Sequence, residues 1–302
     1  MSNTEAFLAV VNPAAGGGRC RKLVPEALDR LRRGGIKLDV VETTAPGEGI
    51  RLAREAYALG YRRFIAVGGD GTSYEIVNGL FPSEDAAQPA TLAFLPLGTG
   101  NSFLREFTDR GVDYAVEALL AERFQSCDVL RLRHAEGVLH YINLLSMGFA
   151  ADVATLRARR FSGWGELGYQ SSIFISLARF RRRPFPLRVD GEAEIDRRPC
   201  LFLTFNNSKF TGGTMMIAPK AHVNDGLIEY VRWGPIGRLG LIRNLPTLYD
   251  GTHIHHPLAE RREASRIDFY LDDPVDVMID GEVLTLQCQT LDVLPSALNV
   301  VV

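Results

Sequence analysis

Three glycine-rich turns are the residues of this chain best suited to chemistry. They are Asn12-Pro13-Ala14-Ala15-Gly16-Gly17-Gly18-Arg19, Gly68-Gly69-Asp70-Gly71-Thr72 and Gly98-Thr99-Gly100-Asn101. Glycine reaches positive φ and lets backbone N–H groups approach phosphate oxygens with no Cβ in the way. One such turn is ordinary strand-to-helix punctuation. Three at one rim of a sheet point to a phosphate-binding edge. The second turn also carries a carboxylate, Asp70. No Gly-Lys-Ser/Thr follows any of them, and none has the G-x-G-x-x-G spacing of a dinucleotide fold. His253, His255 and His256 precede Pro257 and read as a polar loop at least as well as a metal site.

The elements around these turns can be read from periodicity. Phe7–Val11 is a wholly apolar run, as in a strand buried on both faces. Val24, Ala27, Leu28 and Leu31 form a helical stripe that stops at Gly34-Gly35. Ile36–Val41, Phe64–Val67 and Thr91–Leu95 read as further strands, with helical stripes at Ile50, Ala53, Tyr57 and Ala58 and at Ile76, Val77 and Leu80. Strands alternating with helices predict a parallel sheet, whose ligands bind beyond the carboxyl ends of the strands, where the three turns lie.

Near Cys127-Asp128 the pattern changes. Strand signals dominate from there: Val129–Leu132, Tyr141–Leu145, Leu187–Val189, Cys200–Phe205, Leu227–Val231, Ile267–Leu271, Val275–Ile279 and Val283–Gln287. Turn residues such as Asp190-Gly191, Asn224-Asp225-Gly226 and Asp280-Gly281 separate many of them. Two helical stretches, 163–180 and 235–250, interrupt the series. The expected architecture is an α/β domain over 1–127 followed by a mostly antiparallel, β-rich domain over 128–302. A return of the last ten or so residues to the first domain stays open.

Composition narrows the function class. The chain has 302 residues, 46% hydrophobic and 23% charged, with a net charge of −2, which gives no reason to expect nucleic-acid binding. The scattered Cys20, Cys127, Cys200 and Cys288 read as reduced thiols of a cytoplasmic protein. The N-terminus lacks the basic and apolar regions of a signal peptide, and no window of about 18 apolar residues exists to span a bilayer.

The segments VVNPAAGGGR, VGGDGTSYEIVNGL and PLGTGNSF together resemble the diacylglycerol kinase catalytic family, in its branch of soluble bacterial lipid kinases that is also similar to sphingosine and ceramide kinases. The likeness continues through Met147–Asp152, Asn206–Gly213, Ala218–Ala221, Asn224–Leu227 and Asp280-Gly281-Glu282, nearly the whole chain. It implies an NAD kinase/diacylglycerol kinase-like fold and an ATP- and Mg-dependent lipid kinase. Gly68, Gly69, Asp70, Gly71 and Thr72 would cradle the ATP phosphates, with Asp70 turned toward the catalytic magnesium. Asn12 and the loop to Arg19 would border the same phosphates. Thr43, four residues before Gly47, would contact the nucleotide, and Glu75, Gly98, Thr99 and Asn101 would complete the pocket. Glu282 would be the general base that takes the acceptor hydroxyl proton. Asp225, with the backbone carbonyls of His222 and Leu227, would hold a separate structural magnesium, although a type I′ hairpin explains the same Asn-Asp-Gly turn. Ser102 stands where the bacterial diacylglycerol kinase pattern has Asp, which leaves the acceptor open between diacylglycerol and a sphingoid or ceramide-type lipid.

Such an acceptor implies peripheral contact with the inner face of the membrane. Arg157, Arg159, Arg160, Arg179, Arg181, Arg182 and Arg183 lie among Phe161, Trp164, Tyr169, Phe174 and Phe180, a mixture that suits anionic headgroups or, equally, a solvated helix face over a core. Two other readings compete: a kinase of a soluble acceptor such as NAD, and a catalytically silent lipid-binding regulator. A homodimer is left open.

Overall fold

The chain is described here from a computed structural model, covering residues 5–81, 90–98, 100–160, 175–176 and 182–302. Thr99, the stretch 161–174 with its aromatics, and Arg179, Phe180 and Arg181 lie outside the described residues, as do the side chains of Arg157 and Arg159 and most of the helical stretch expected over 163–180.

The first domain is built on a parallel sheet. Strand β1 (Phe7–Val11) lies between β2 (Leu38–Glu42) and β3 (Arg63–Gly68), and β4 (Ala90–Pro96) follows β3. Helices α1 (Arg19–Arg33), α2 (Glu48–Ala58) and α3 (Asp70–Leu80) make the crossovers, and α4 (Val112–Leu120) packs on α1 and β4. β1 is buried along its whole length, which explains its unbroken apolar run, while the edge strand β2 is half exposed. The stripe Val24, Ala27, Leu28 and Leu31 is the buried face of α1.

The second domain is a sandwich. Strands β5 (Phe124–His134) and β6 (Gly137–Tyr141) join one layer; β7 (Leu144–Gly148) opens the other. After α5 (Phe149–Arg160) come β8 (Leu187–Val189), β9 (Phe202–Asn206), the short hairpin β10 (Phe210–Thr211) and β11 (Met215–Met216), and β12 (Ile228–Trp233). Helices α6 (Arg238–Asn244) and α7 (Thr247–Asp250) precede β13 (Ala259–Ala264), β14 (Arg266–Phe269), β15 (Val275–Ile279), β16 (Glu282–Leu286) and β17 (Cys288–Val301). One layer runs β13-β12-β9-β7-β15-β16, entirely antiparallel. The other, β6-β5-β17-β14-β8, continues directly from the parallel sheet. Leu130, Leu145, Phe205, Tyr230, Val277 and Leu291 fill the space between the layers.

Strand β17 joins the two domains. It pairs antiparallel with β5 along both halves and with β14 along the first; in the second half Leu298–Val300 also runs parallel to Ala90–Leu92 of β4. The change occurs at a register shift between Leu294 and Leu298, where Ser296 takes φ 49°. The Ser296 N–H donates to the buried Asp128 carboxylate at 2.6 Å, which holds the kink.

Two expectations need correction. Tyr141–Leu145 is not one strand, because the chain leaves one layer after Tyr141 and enters the other at Leu144. The amides between are claimed by a side chain described below rather than by a ladder. The stretch 235–250 is two short helices, since Pro246 cannot donate the N–H a continuous helix would need there.

Candidate active site

The three glycine turns meet at the carboxyl ends of β1, β3 and β4. The Gly98 N–H donates to the Gly68 carbonyl at 2.8 Å, and the Asp70 N–H to the Gly100 carbonyl at 3.0 Å. This contact demands glycine: a Cβ on Gly98 would lie 2.8 Å from Gly69 Cα, and one on Gly69 2.7 Å from the Gly100 oxygen. Gly16, with φ 62°, sits where a Cβ would come 3.2 Å from the Leu97 oxygen, so the first turn touches the third. Gly17 and Gly18 also have positive φ, with open space where a Cβ would stand. Asn12 caps this first turn from its start, its Oδ1 accepting the Ala14 N–H.

Asp70 is the first residue of α3 and braces the third turn. Its carboxylate accepts the N–H groups of Ser102 at 2.9 Å and Phe103 at 3.4 Å. Burial raises its pKa above the ordinary carboxylate range, and the hydrogen bonds from Ser102 and Phe103 oppose that rise. The buried Ser102 hydroxyl also accepts the Gly213 N–H at 3.0 Å, which ties the third turn to the β10–β11 hairpin of the second domain. Asn101 donates its amide to the Gly98 carbonyl at 3.2 Å. Between the third turn and that hairpin lies a cavity of about 220 Å³ lined by Pro96, Asn101, Leu104, Arg105 and Gly213.

Thr43 lies on the loop that leads to α2, and Glu75 on α3 beside that loop. The Thr43 hydroxyl donates to the Val11 carbonyl at 3.3 Å. Glu75, on α3, accepts the N–H groups of Gly47 and Gly49, each at 2.7 Å. It therefore caps α2 from a neighbouring helix, satisfying amides that Gly47 has no side chain to reach. In that arrangement Glu75 holds the loop between Thr43 and Gly47 in place.

Glu282 arrives from the second domain. Asp280 and Gly281, with φ 46° and 89°, form a two-residue hairpin between β15 and β16, with Ile279 opposite Glu282. The hairpin tip lands on the first turn of α3. A Cβ on Gly281 would be 3.9 Å from Asp70 Cβ, and one on Gly71 would strike Glu282 Oε1. Desolvation at this crevice raises the Glu282 pKa, and the negative charge of Glu75 raises it further.

The residue that sequence reasoning left without a role is Asp280. Its buried carboxylate accepts the N–H groups of Ile142 and Asn143 at 3.1 Å and Leu144 at 2.9 Å, while its own N–H donates to the Leu144 carbonyl. These are the amides that break Tyr141–Leu145 into two strands. Burial pushes the Asp280 pKa up to about 7, against the amides of Ile142 and Leu144, and the nearby charge of Asp70 adds to the rise. The signal in the sequence was only an Asp-Gly turn, and nothing local marks its distant partners.

Asn224-Asp225-Gly226 is not a hairpin. β12, which follows it, pairs with β9 and β13 rather than with a strand just before the turn. Asp225 Oδ1 accepts the Leu227 N–H at 2.9 Å, and buried Asp128 accepts the Gly226 N–H at 2.6 Å. The turn is thus fastened to the kink of β17 through Asp128. Asp225 and His222 are exposed, and burial, modest as it is at this rim, raises the Asp225 pKa, with the charge of Asp128 adding to it. Among the described residues no group of three or more His, Cys, Asp or Glu side chains could hold a metal. A cation here would need backbone carbonyls beside Asp225, as the His222 and Leu227 set supposes.

His253 is neither a ligand nor part of a polar loop. It is buried, its ring nitrogens 3.2 Å from the Thr247 oxygen and 3.0 Å from the Ile217 oxygen, and burial lowers its pKa. All four cysteines are buried and unpaired.

The comparisons with known proteins cover the whole chain. Residues 6–132 match the diacylglycerol kinase catalytic domain, and residues 143–302 match the YegS C-terminal NAD kinase beta sandwich-like domain. A protein of Chromohalobacter salexigens described as a probable lipid kinase YegS-like is 31% identical over 266 residues, spanning 86% of this chain and 82% of its own. A diacylglycerol kinase of Mycobacterium tuberculosis is 27% identical over 299 residues, 97% of this chain and 93% of its own. The crystal structure of a putative diacylglycerol kinase from Bacillus anthracis superposes with a TM-score of 0.79 at 21% identity, over 100% of this chain and 96% of that one, which establishes the shared fold. With the catalytic domain, the C-terminal sandwich and their order all matched, this chain is a kinase that belongs to the diacylglycerol kinase family.

Proposed function

We propose that the chain transfers the γ-phosphoryl group of ATP to the hydroxyl of a lipid, diacylglycerol or a sphingoid or ceramide-type lipid. The observation that carries this reading is the position of Glu282, whose carboxylate lies on Gly71 at the rim where three glycine turns interlock. The rim suits a polyphosphate. Gly17 and Gly18, at positive φ, leave open space at the rim where other residues would carry side chains. The Thr72 hydroxyl is buried there with no hydrogen-bond partner among the described residues, a cost that an incoming acceptor oxygen would remove.

In this reading the turns orient the triphosphate and Asp70 supplies the carboxylate beside it. Magnesium, when bound, neutralises charge on the phosphate oxygens. Glu282, held by the hairpin, accepts the proton of the lipid hydroxyl as the new O–P bond forms and the bond to the ADP oxygen breaks. The raised pKa makes the Glu282 carboxylate a stronger proton acceptor. Asp225 with the carbonyls of His222 and Leu227 would hold a second magnesium with a structural role. In this reading a lipid acceptor is met at a membrane surface; no described helix is long and apolar enough to cross one.

The test is radiolabelled ATP with a total lipid extract, the products identified by mass, beside NAD as a soluble acceptor. A phosphorylated lipid that disappears with Asp70→Asn or Glu282→Gln is the expected result. Turnover only with NAD, or lipid binding with no transfer under any Mg-ATP condition, would remove this reading.

A further inference from the structure

Helix α6 is turned the wrong way for a purely internal element. It buries Leu241, which packs with Ile236, Leu248 and Trp233, but leaves Leu239 83% and Ile242 53% exposed. The two are one helical turn apart on the same face. Tyr249, on α7, is 49% exposed. Three large apolar side chains exposed between Leu239 and Tyr249 call for an occupant.

Charge indicates which. Arg238 and Arg243 are exposed at the two ends of α6, and Arg182 Nη2 lies 3.6 Å from where a Cβ of Gly237 would stand. Among the described residues none of these three arginines has a carboxylate partner, whereas nearby Arg183 and Arg198 are paired with Asp152 and with Asp196 and Glu260. The one acid on α7, Asp250, keeps its charge while accepting the N–H and hydroxyl of Thr252, so the three arginines outnumber it. Apolar side chains framed by unpaired cations complement an anionic lipid surface, where the former enter the acyl boundary and the latter meet headgroups.

The face is also mechanically connected to the active site. Helix α7 packs on β11, and a Cβ on Gly251, the residue after α7, would sit 3.1 Å from Met216 Sδ. The same hairpin carries Gly213, which donates to Ser102 in the third glycine turn.

We propose that the α6–α7 segment, together with Arg182, is the surface by which this protein docks on an anionic bilayer and so brings its site to a lipid acceptor. The proposal rests on the lipid-kinase reading for its purpose, but docking is measurable without ATP. The full chain is floated with vesicles of phosphatidylcholine alone and of phosphatidylcholine with phosphatidylglycerol. Binding to the anionic vesicles is expected. The double variant Leu239→Glu, Ile242→Glu should lower it about tenfold or more, and Arg238→Ala and Arg243→Ala about fivefold each. All four positions are exposed, so melting temperature should stay unchanged. Turnover of detergent-dispersed acceptor should be preserved in these variants while turnover on vesicles falls. Unchanged vesicle partition in the double variant would overturn the proposal. So would equal binding to uncharged vesicles, or a shift of the double variant from dimer to monomer in sedimentation, which would make this face a contact between copies of the chain. Intact docking by a wild-type protein that phosphorylates no lipid would instead remove the proposed function and leave the surface assignment standing.

Discussion

The Glu282 carboxylate occupies the space above Gly71 that any other residue would fill with its Cβ. The two residues come from different domains and are 211 positions apart in the chain. Gly71 is in the first turn of α3 at ordinary helical φ, so its small size serves the neighbour rather than its own backbone.

Gly71→Ala is therefore expected to separate stability from activity. Alanine favours the helix by up to about 1 kcal/mol, so the melting temperature should hold or rise. The flexible Glu282 side chain must swing aside, and kcat should fall by about 10- to 100-fold, the scale of a misplaced general base. Wild-type kcat in this variant would show that Glu282 does not work from where it lies.

Asp280 should prove to be a positioning residue for Glu282. Asp280→Ala leaves three buried N–H groups without their acceptor and should cost about 3 kcal/mol of stability. Its titration gives a second, independent readout. The group ionises near 4 in the unfolded chain and is pushed up to about 7 in the folded one. The folded state thus binds the extra proton across that interval. Its contribution is full below about pH 4 and is lost as pH rises toward 7. Asp280→Asn should flatten the slope of stability against pH over this range in denaturant titrations. An unchanged slope would mean that Asp280 is ionised throughout.

Activity should rise with pH as Glu282 ionises, with the inflection above the ordinary glutamate value because desolvation and the charge of Glu75 both raise it. Glu75→Gln removes the charge, keeps an acceptor for one of the two α2 amides while losing the other hydrogen bond, and should move the inflection of the kcat profile downward. An inflection that stays in place would assign it to another group.

Magnesium is expected to raise the melting temperature of the wild-type chain and not that of Asp225→Ala. Without the metal the variant loses only the exposed hydrogen bond to the Leu227 N–H, about 1 kcal/mol. The same magnesium response in both proteins would place the stabilising ion elsewhere.

The sequence alone determined the parallel sheet, the place of its glycine turns and the strand-rich character of the second half, because each rests on patterns within some ten to twenty residues. Apolar β1, the stripe on α1 and the Asp280-Gly281 hairpin are all local facts of this kind. What only the tertiary structure decided depends on residues far apart in the chain. Asp280 dissolves the expected strand at Tyr141–Leu145 by taking its amides, Glu75 accepts the amides at the start of α2, and β17 serves both domains because Asp128 holds its kink. Periodicity carries no record of such pairings, since a carboxylate's partner is set by where the folded chain brings an unsatisfied N–H, and that is fixed only once both layers are packed.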